Sequence, residues 1–473
     1  MNATHPPGTR VRWLIVGALL PVPSGRRFPL TADVFAEHLP RATSGLSLTV
    51  QDRLGSGDAS TYEVSFDGLE GFQLSRVVDS LPDLRALRHL HDALSGARTL
   101  GPEEATRLKS VVGGGRLASG VAEALRGARS PEDARRAVLA RIEEALFATA
   151  RDLLEHPLVK RLESTWRGLH WLWTHCPASA GMDIELLDLE PHQLVDGLTR
   201  SLDVPPLQRP DACFILDASA DVDTLRRLAA LGEEAWLPMV VAVPNEKTEP
   251  LPAQAWNELR AEETSRWLCA ALNPVVMMAE QQGEVRRECF ASPALAVASL
   301  LAASYRDTRT FARVVGPGSG TRAPAVWRPQ GGSTVATEEG FSLREQERLA
   351  ARGMLGVSGW WDSDSVLLAK APTVYGGRDA TVLPAQLLTG RILRLALEVT
   401  ERIPAGASPD AVAAVFTRAA ETFLSTGTGR SCQLHGQVVP TGNGTKGVHV
   451  RASVRPELAG THLQLEFTLP LRG

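Results

Sequence analysis

The sequence predicts an α/β protein: a core domain built on a parallel βαβ unit, then a C-terminal α+β domain ending in antiparallel strands. Three observations carry this. ACFIL (212–216) is a short apolar run, Asp221 to Ala235 places Leu225, Leu228 and Leu231 on one helical face, and Pro238 to Val243 is a second apolar run. A strand, a crossover helix and a strand imply parallel pairing covered by helices. Near the end of the chain, Val448, Val450, Ala452 and Val454 alternate, as do Leu463, Leu465, Phe467 and Leu469, and Asn443-Gly444 is a hairpin-turn signal. Third, His156 to Trp173 reads as a very apolar helix: Leu158, Leu162, Trp166, Leu169 and Trp173 form one stripe, widened by Trp171 and Leu172, with a Glu163→Arg167 pair beside it.

The other elements follow in order. VRWLIVGALL (11–20) predicts a fully buried strand and TYEVSF (61–66) an alternating one, separated by the Pro-rich turn 21–29 and a short helix near Ala32–His38. Leu69, Phe72, Leu74, Val77 and Val78 start a helical pattern, and Pro82 opens a second helix, Asp83–Ala93. Gly101-Pro102 and Gly113–Gly115 are breakers in a linker. The helix 131–155 leads into the aromatic stripe, and DIELLDL (183–189) predicts a strand before the βαβ unit. Gln254 to Leu272 is expected as one helix and Ala294–Ser304 as a small-residue helix. Gly316 to Gly332 reads as a loop, Ser342–Arg352 as a helix, and GMLGVSGWW with DSVLLAKA as a hairpin. Helices near Pro384–Arg402 and Asp410–Leu424 precede the strands 431–439, 447–454 and 462–469.

At 473 residues the chain has room for about two to four domains. Hydrophobic residues make up 44% and charged residues 22%, an ordinary globular balance. A net charge of −4 offers no basic excess to neutralise phosphates, which argues against a nucleic-acid binder. The five cysteines are odd in number, widely spaced and without a CxxC, so neither a disulfide framework nor a zinc site is expected. Arg10, Arg12 and the run Trp13–Leu20 mimic a signal peptide, but the run is short and Pro21 and Pro23 follow it, so a buried strand is the expectation. No run is long enough to span a membrane.

Chemistry has little to stand on. GPGSGT (316–321) lacks the Lys-Ser/Thr of a phosphate loop, and DASAD after strand 212–216 lacks the glycines a dinucleotide needs. Asp217, Asp221 and Asp223 cluster at a strand's C-terminal end and could hold a metal; the simpler reading is a strand end followed by an acidic helix N-terminus. The histidines show no ligand spacing, no GxSxG elbow exists, and no cysteine sits in a nucleophile's setting. No catalytic, cofactor-binding or metal-binding residue is assigned, and the chain is not expected to be an enzyme.

The distinctive residues are structural, and they carry a resemblance. HPLVKRLESTWRGLHWLW, with Glu163, Trp166, Arg167, Gly168 and Leu169, resembles the large contractile-sheath subunit of type VI secretion systems, TssC. Trp256, Arg260 and Glu263 in QAWNELRAEETSRWL hold the positions of a second TssC element. Thr337, Glu338, Arg344, Glu345, Leu349 and Gly353 match a third, Gln386 to Arg402 is similar to the helix after it, and Val448–Pro456 with 462–469 is similar to the closing β-region. VRWLIVG, TVQDRL (49–54) and 64–94, through Phe66, Leu69, Phe72, Val77, Leu84, Leu87, Arg88 and Leu94, resemble the small subunit, TssB. The resemblance therefore implies a fused, shortened sheath protein: a TssB-like region at 1–95, a linker or short helical region at 96–130, a first TssC-like domain at 131–330 and a C-terminal one at 331–473.

What it implies about function is mechanical: a tail-sheath-like fold polymerising with itself around an Hcp-type inner tube, docked on baseplate components at a membrane anchor in the bacterial cytoplasm, and contracting to drive the tube outward. Cofactors, nucleic acid and membrane insertion have no place in that picture. The shortening at 95–130 falls where the family's recycling AAA+ ATPase binds, which puts that partner in doubt. Added strands would link neighbours. The candidate positions are Val11, Trp13 and Ile15, Val448 and Val450, and Leu463, Leu465 and Phe467. The alternatives are a non-polymerising baseplate adaptor or cap, and an α/β enzyme working at Asp217, Asp221 and Asp223.

Overall fold

The computed structural model describes residues 10–96, 106, 114–177, 180–245, 251–316, 318–329, 332–404, 406–424, 432–440 and 446–471. The Asn443-Gly444 turn and Gly101-Pro102 lie outside these. The chain forms two compact units: one takes residues 1–30, 168–276 and 290–473, the other 31–167 and 277–289. The units cut across the expected linear boundaries at 95, 130 and 330, because the first strand is built into the larger unit's sheet.

The larger unit is organised by a nine-stranded sheet. β1 (Val11–Gly17) lies at its heart, parallel to β5 (Met182–Asp188) on one side and β6 (Ala212–Ile215) on the other; β2 (Arg27–Pro29) caps β5 antiparallel, while β3 (Leu46–Gln51) and β4 (Ala59–Val64) belong to the other unit. β6 continues in parallel to β7 (Met239–Ala242), β8 (Leu268–Leu272) and, past β9 (Val275–Gln282), β10 (Val285–Ala291) and β11 (Thr321–Arg322), to β12 (Met354–Gly359). β13 (Ser365–Leu368) turns back antiparallel on β12, and β11 closes that edge. The order is β11-β13-β12-β8-β7-β6-β1-β5-β2. β6, β7 and β8 are apolar and buried at every position because parallel strands are covered on both faces. Trp13, Leu14, Ile15 and Val16 are fully buried, Trp13 packing on Phe214 at 5.0 Å between ring centroids.

The predicted βαβ unit is present: β6, helix Val222–Ala235 and β7. One expectation fails. Gln254–Leu272 is not one helix: a helix runs Ala253–Ala261, a 3-10 turn covers Glu263–Trp267, and Leu268–Leu272 is strand β8. LCAAL is a short, continuous apolar run, which periodicity cannot tell from buried helix; its place between β7 and β12 makes it strand.

The same unit ends in a three-stranded antiparallel sheet, β14 (Cys432–Pro440), β15 (Lys446–Val454) and β16 (Leu463–Pro470), in the order β14-β15-β16. Helices Leu383–Glu401 and Pro409–Phe423 cover it; Leu395, Phe416, Val448 and Val450 form its core.

The smaller unit contains the β3–β4 hairpin, helices Leu74–Ser80, Pro82–Ser95, Arg116–Gly127 and Pro131–Leu154, and the first part of helix Pro157–Thr174. Ser130 caps Pro131–Leu154 by accepting from the Asp133 amide, with Pro131 at the first helical position. Phe66 and Phe72 stack at 4.1 Å, closing the strand-to-helix turn.

Candidate functional site

The motif residues divide between the two units. In the smaller one, Glu163 is fully buried and held by two guanidiniums. Arg167 Nε donates to its Oε1 at 2.7 Å, one helical turn along, and Arg287 Nη2 donates to its Oε2. Arg287, side chain 1% exposed, also donates to Glu280 Oε1 and to the Phe72 carbonyl, both at 2.9 Å. Arg167 Nη2 reaches the Leu69 carbonyl at 3.0 Å, and the Leu74 amide donates to the Glu280 carboxylate at 3.2 Å. The network thus ties the aromatic helix and β9–β10 to the turn and first helical residue of 69–74. Burial pushes the Glu163 carboxyl above its usual range, against the pull of Arg287 and Arg167. Burial lowers Arg287, but Glu163 and Glu280 outweigh it and hold the guanidinium charged. Trp166 is fully buried, edge-on to Phe35 at 6.0 Å.

In the larger unit the second and third motifs meet at one helix end. Trp256 Nε1 donates to the Arg352 carbonyl at 3.1 Å and Arg260 Nη2 to the Ala351 carbonyl at 2.9 Å. These accept at the C-terminus of helix Leu343–Ala351, where backbone carbonyls otherwise lack partners. Arg260 Nε reaches the Val374 carbonyl at 3.3 Å. Gly353 turns the chain there with φ 77°, and a Cβ on it would sit 2.7 Å from the Val374 oxygen, so glycine is required on both counts. Glu263 accepts from Arg266 Nε at 2.5 Å and Tyr375 Oη at 2.8 Å; those bonds, Arg266 first, hold its carboxyl below the usual range. The Glu338 amide donates to the Pro274 carbonyl at 2.8 Å. Gly168 lets the aromatic helix pack closely, since a Cβ would meet Leu295 Cδ1 at 2.6 Å and Ala291 Cβ at 2.8 Å, and Leu169 is fully buried. Glu163, Arg167, Gly168, Leu169, Trp256, Arg260 and Gly353 thus fix packing or a chain turn, whereas the Glu263 side chain is 67% exposed.

The expected linking strands separate into edge and interior. Val11, Trp13 and Ile15 cannot accept an added strand: β1 is paired on both sides, because β5 and β6 flank it. Val448 and Val450 are likewise interior, since β15 lies between β14 and β16. Leu463, Leu465 and Phe467 sit on β16, an edge strand among the described residues. Leu471 N donates to Lys446 O at 3.0 Å, which sets the alternation: the amides of Leu463, Leu465, Phe467 and Leu469 face β15, and those of Gln464, Glu466 and Thr468 face outward.

The aspartates after β6 are structural. Asp221 caps helix Val222–Ala235, accepting from the Asp223 and Thr224 amides, Asp223 pairs with Arg226 at 2.6 Å, and Asp217 accepts from the Ala18 amide at 3.0 Å. Among the described residues no group of three His, Cys, Asp or Glu could hold a metal, and no helix is long and apolar enough to cross a membrane. Arg287 and Glu280 had no place in the sequence reading. The available signal was Arg287 on the inward register of an alternating strand, between Val285 and Cys289.

Residues 136–206 match the family model VipB, the EvpB-type tail sheath N-terminal domain. No curated protein matches the chain. Among solved structures it is similar to the sheath tail protein from Desulfitobacterium hafniense, at 10% identity and a TM-score of 0.40 over 60% of this chain and 61% of that one. The anti-feeding prophage sheath in its contracted state gives 10% identity and 0.39 over 100% and 95%. The contracted PVC sheath complex of an extracellular contractile injection system gives 10% and 0.36 over 68% and 81%. At these scores the likeness carries no functional argument. The chain spans 61% of the length of the Desulfitobacterium protein.

Proposed function

We propose that this chain is a structural subunit of a contractile sheath of the type VI secretion kind, with TssB-like and TssC-like parts fused in one polypeptide. The observation that carries the reading is the tail-sheath match over 136–206, which spans the aromatic helix and its Glu163–Arg167 pair. Supporting it, the motif residues build turns, caps and a buried ion network rather than a reaction centre. In this reading the work is done by a repeated heterologous contact, which propagates into a helix when it does not close. Edge strand β16 adds to a neighbour's sheet, and contraction is a cooperative change between two packings that leaves those strand links intact. Fusion fixes the two parts in equal number. The partners are other copies of the chain, an Hcp-type inner tube and baseplate components, assembled in the bacterial cytoplasm.

Negative-stain microscopy of the purified chain, alone and with the products of adjacent genes, tests this. Hollow tubes of constant width are expected. Monomers or closed rings under every condition would overturn the sheath reading and favour a baseplate adaptor or cap.

A further inference from the structure

A recess of about 20 Å³ in the larger unit is lined by five arginines, Arg10, Arg12, Arg209, Arg391 and Arg394, around one carboxylate, Asp211. Asp211 is shared: Arg391 Nη1 donates to its Oδ2 at 2.7 Å and Arg394 Nη2 to its Oδ1 at 2.6 Å. Its Oδ2 also accepts from the Arg12 amide at 2.9 Å. Both guanidiniums are nearly buried, 10% exposed for Arg391 and 2% for Arg394, and each also meets a carbonyl, Arg391 Nη2 that of Phe423 at 3.4 Å and Arg394 Nη1 that of Trp236 at 2.9 Å. Arg10 is matched by Asp183 at 2.9 Å. Arg209 Nε meets only a carbonyl, Val204 O at 3.2 Å, and the Arg12 guanidinium has no ion pair or hydrogen bond among the described residues. The wall beside them is apolar, with Leu207, Leu395 and Phe423. Burial pulls the Arg394 guanidinium down to about 10; Asp211 resists, while Arg391 and Arg209 add to the fall.

Uncompensated charge beside apolar walls is costly, and an anion entering there is held more strongly than in water. Guanidiniums match planar oxyanions two bonds at a time. A recess this small takes one oxygen-bearing group, not a base or a sugar. We propose that this recess binds a single oxyanion group, a carboxylate or phosphate, gripped by Arg12 and Arg209 against the Arg391–Asp211–Arg394 cluster. The site is independent of the sheath reading. The group arrives either as a free ion or on an acidic side chain of a second copy of the chain.

Calorimetry and thermal melting of the full chain with inorganic phosphate, against chloride at equal ionic strength, test the first source. Saturable binding is expected, weakened about tenfold in Arg12→Ala and in Arg209→Ala, with Arg12→Lys in between. Circular dichroism checks that the variants fold; the Asp211 bond to the Arg12 main chain survives either change. Sedimentation over a concentration range tests the second source: self-association lost in Arg12→Glu and weakened by added phosphate identifies a carboxylate from another copy. Absence of phosphate binding, together with self-association indifferent to Arg12→Glu, overturns the proposal.

Discussion

A buried ion pair adds little to stability relative to apolar residues, yet removing one partner leaves the other charge stranded. Glu163 stands in that position, with Arg287 at 1% side-chain exposure against it. Glu163→Ala is expected to cost about 3–5 kcal/mol in urea unfolding, and the Glu163→Met, Arg287→Met double variant to cost less than the sum of its two single changes, with Arg167 and Glu280 still left without their ion-pair partners. A double-variant loss equal to the sum of the two single losses would show that the pair is not coupled. His175 makes a pH prediction. Burial first, then the Arg306 guanidinium, lowers its pKa to about 4; Thr321 Oγ1 lies 2.9 Å from Nε2. The unfolded chain takes up a proton near pH ~6.5 and the folded one only near 4, so stability present above ~6.5 is lost as pH falls through that window. Urea midpoints should drop by about 1–3 kcal/mol in equivalent stability from pH 6.5 to 4, with that part absent in His175→Gln. At this scale the sequence showed the Glu163–Arg167 spacing but not Arg287, whose partner lies 124 positions away. Local spacing reveals i,i+4 pairs and says nothing of a charge brought in by another strand.

Elements were legible where composition and period agreed. Val222–Ala235 shows both an Asp221 cap and a leucine face, and it begins and ends within a residue of the expectation. Leu343–Ala351 carries a capping box, Ser342 with Glu345. In β8 small apolar residues suit helix and strand alike, and only its two strand neighbours decide it. β9 and β10 were not foreseen, since charged residues at Glu280, Arg286, Arg287 and Glu288 hide the alternation. Helix packing gives the element-scale prediction. Gly168 faces Leu295 and Ala291 so closely that Gly168→Ala overpacks the contact. The helix propensity gained by alanine is about 1 kcal/mol, and the strain is about 1–3 kcal/mol, so a net loss is expected. Denaturant unfolding reads it, and Gly168→Ala in an Ala291→Gly, Leu295→Ala background should regain stability relative to that background alone, because both clashing methyl groups are gone. A loss of the same size in both backgrounds would place the strain elsewhere.

For the whole molecule, the question is whether the exposed edge of the C-terminal sheet does what an unpaired edge can do. β16 is eight residues long, and its alternate side chains Leu463, Leu465, Phe467 and Leu469 lean on the core of the Leu383–Glu401 and Pro409–Phe423 layer. Deleting it would strip that core as well as the edge, so loss of assembly after deletion would not separate folding from linkage. The register offers a finer change. The Thr468 amide faces away from β15, so Thr468→Pro removes an outward donor and leaves the β15–β16 ladder whole. Phe467→Pro removes a donor used inside the sheet and is the control for damage to the fold. If neighbours join by strand addition at β16, Thr468→Pro melts within a few degrees of the parent, about 1 kcal/mol or less, yet forms no tubes under the microscope. Phe467→Pro, by contrast, loses stability outright. Tubes of normal width from Thr468→Pro would remove β16 from the linkage and leave β14, the opposite edge of the same sheet, as the strand to test next.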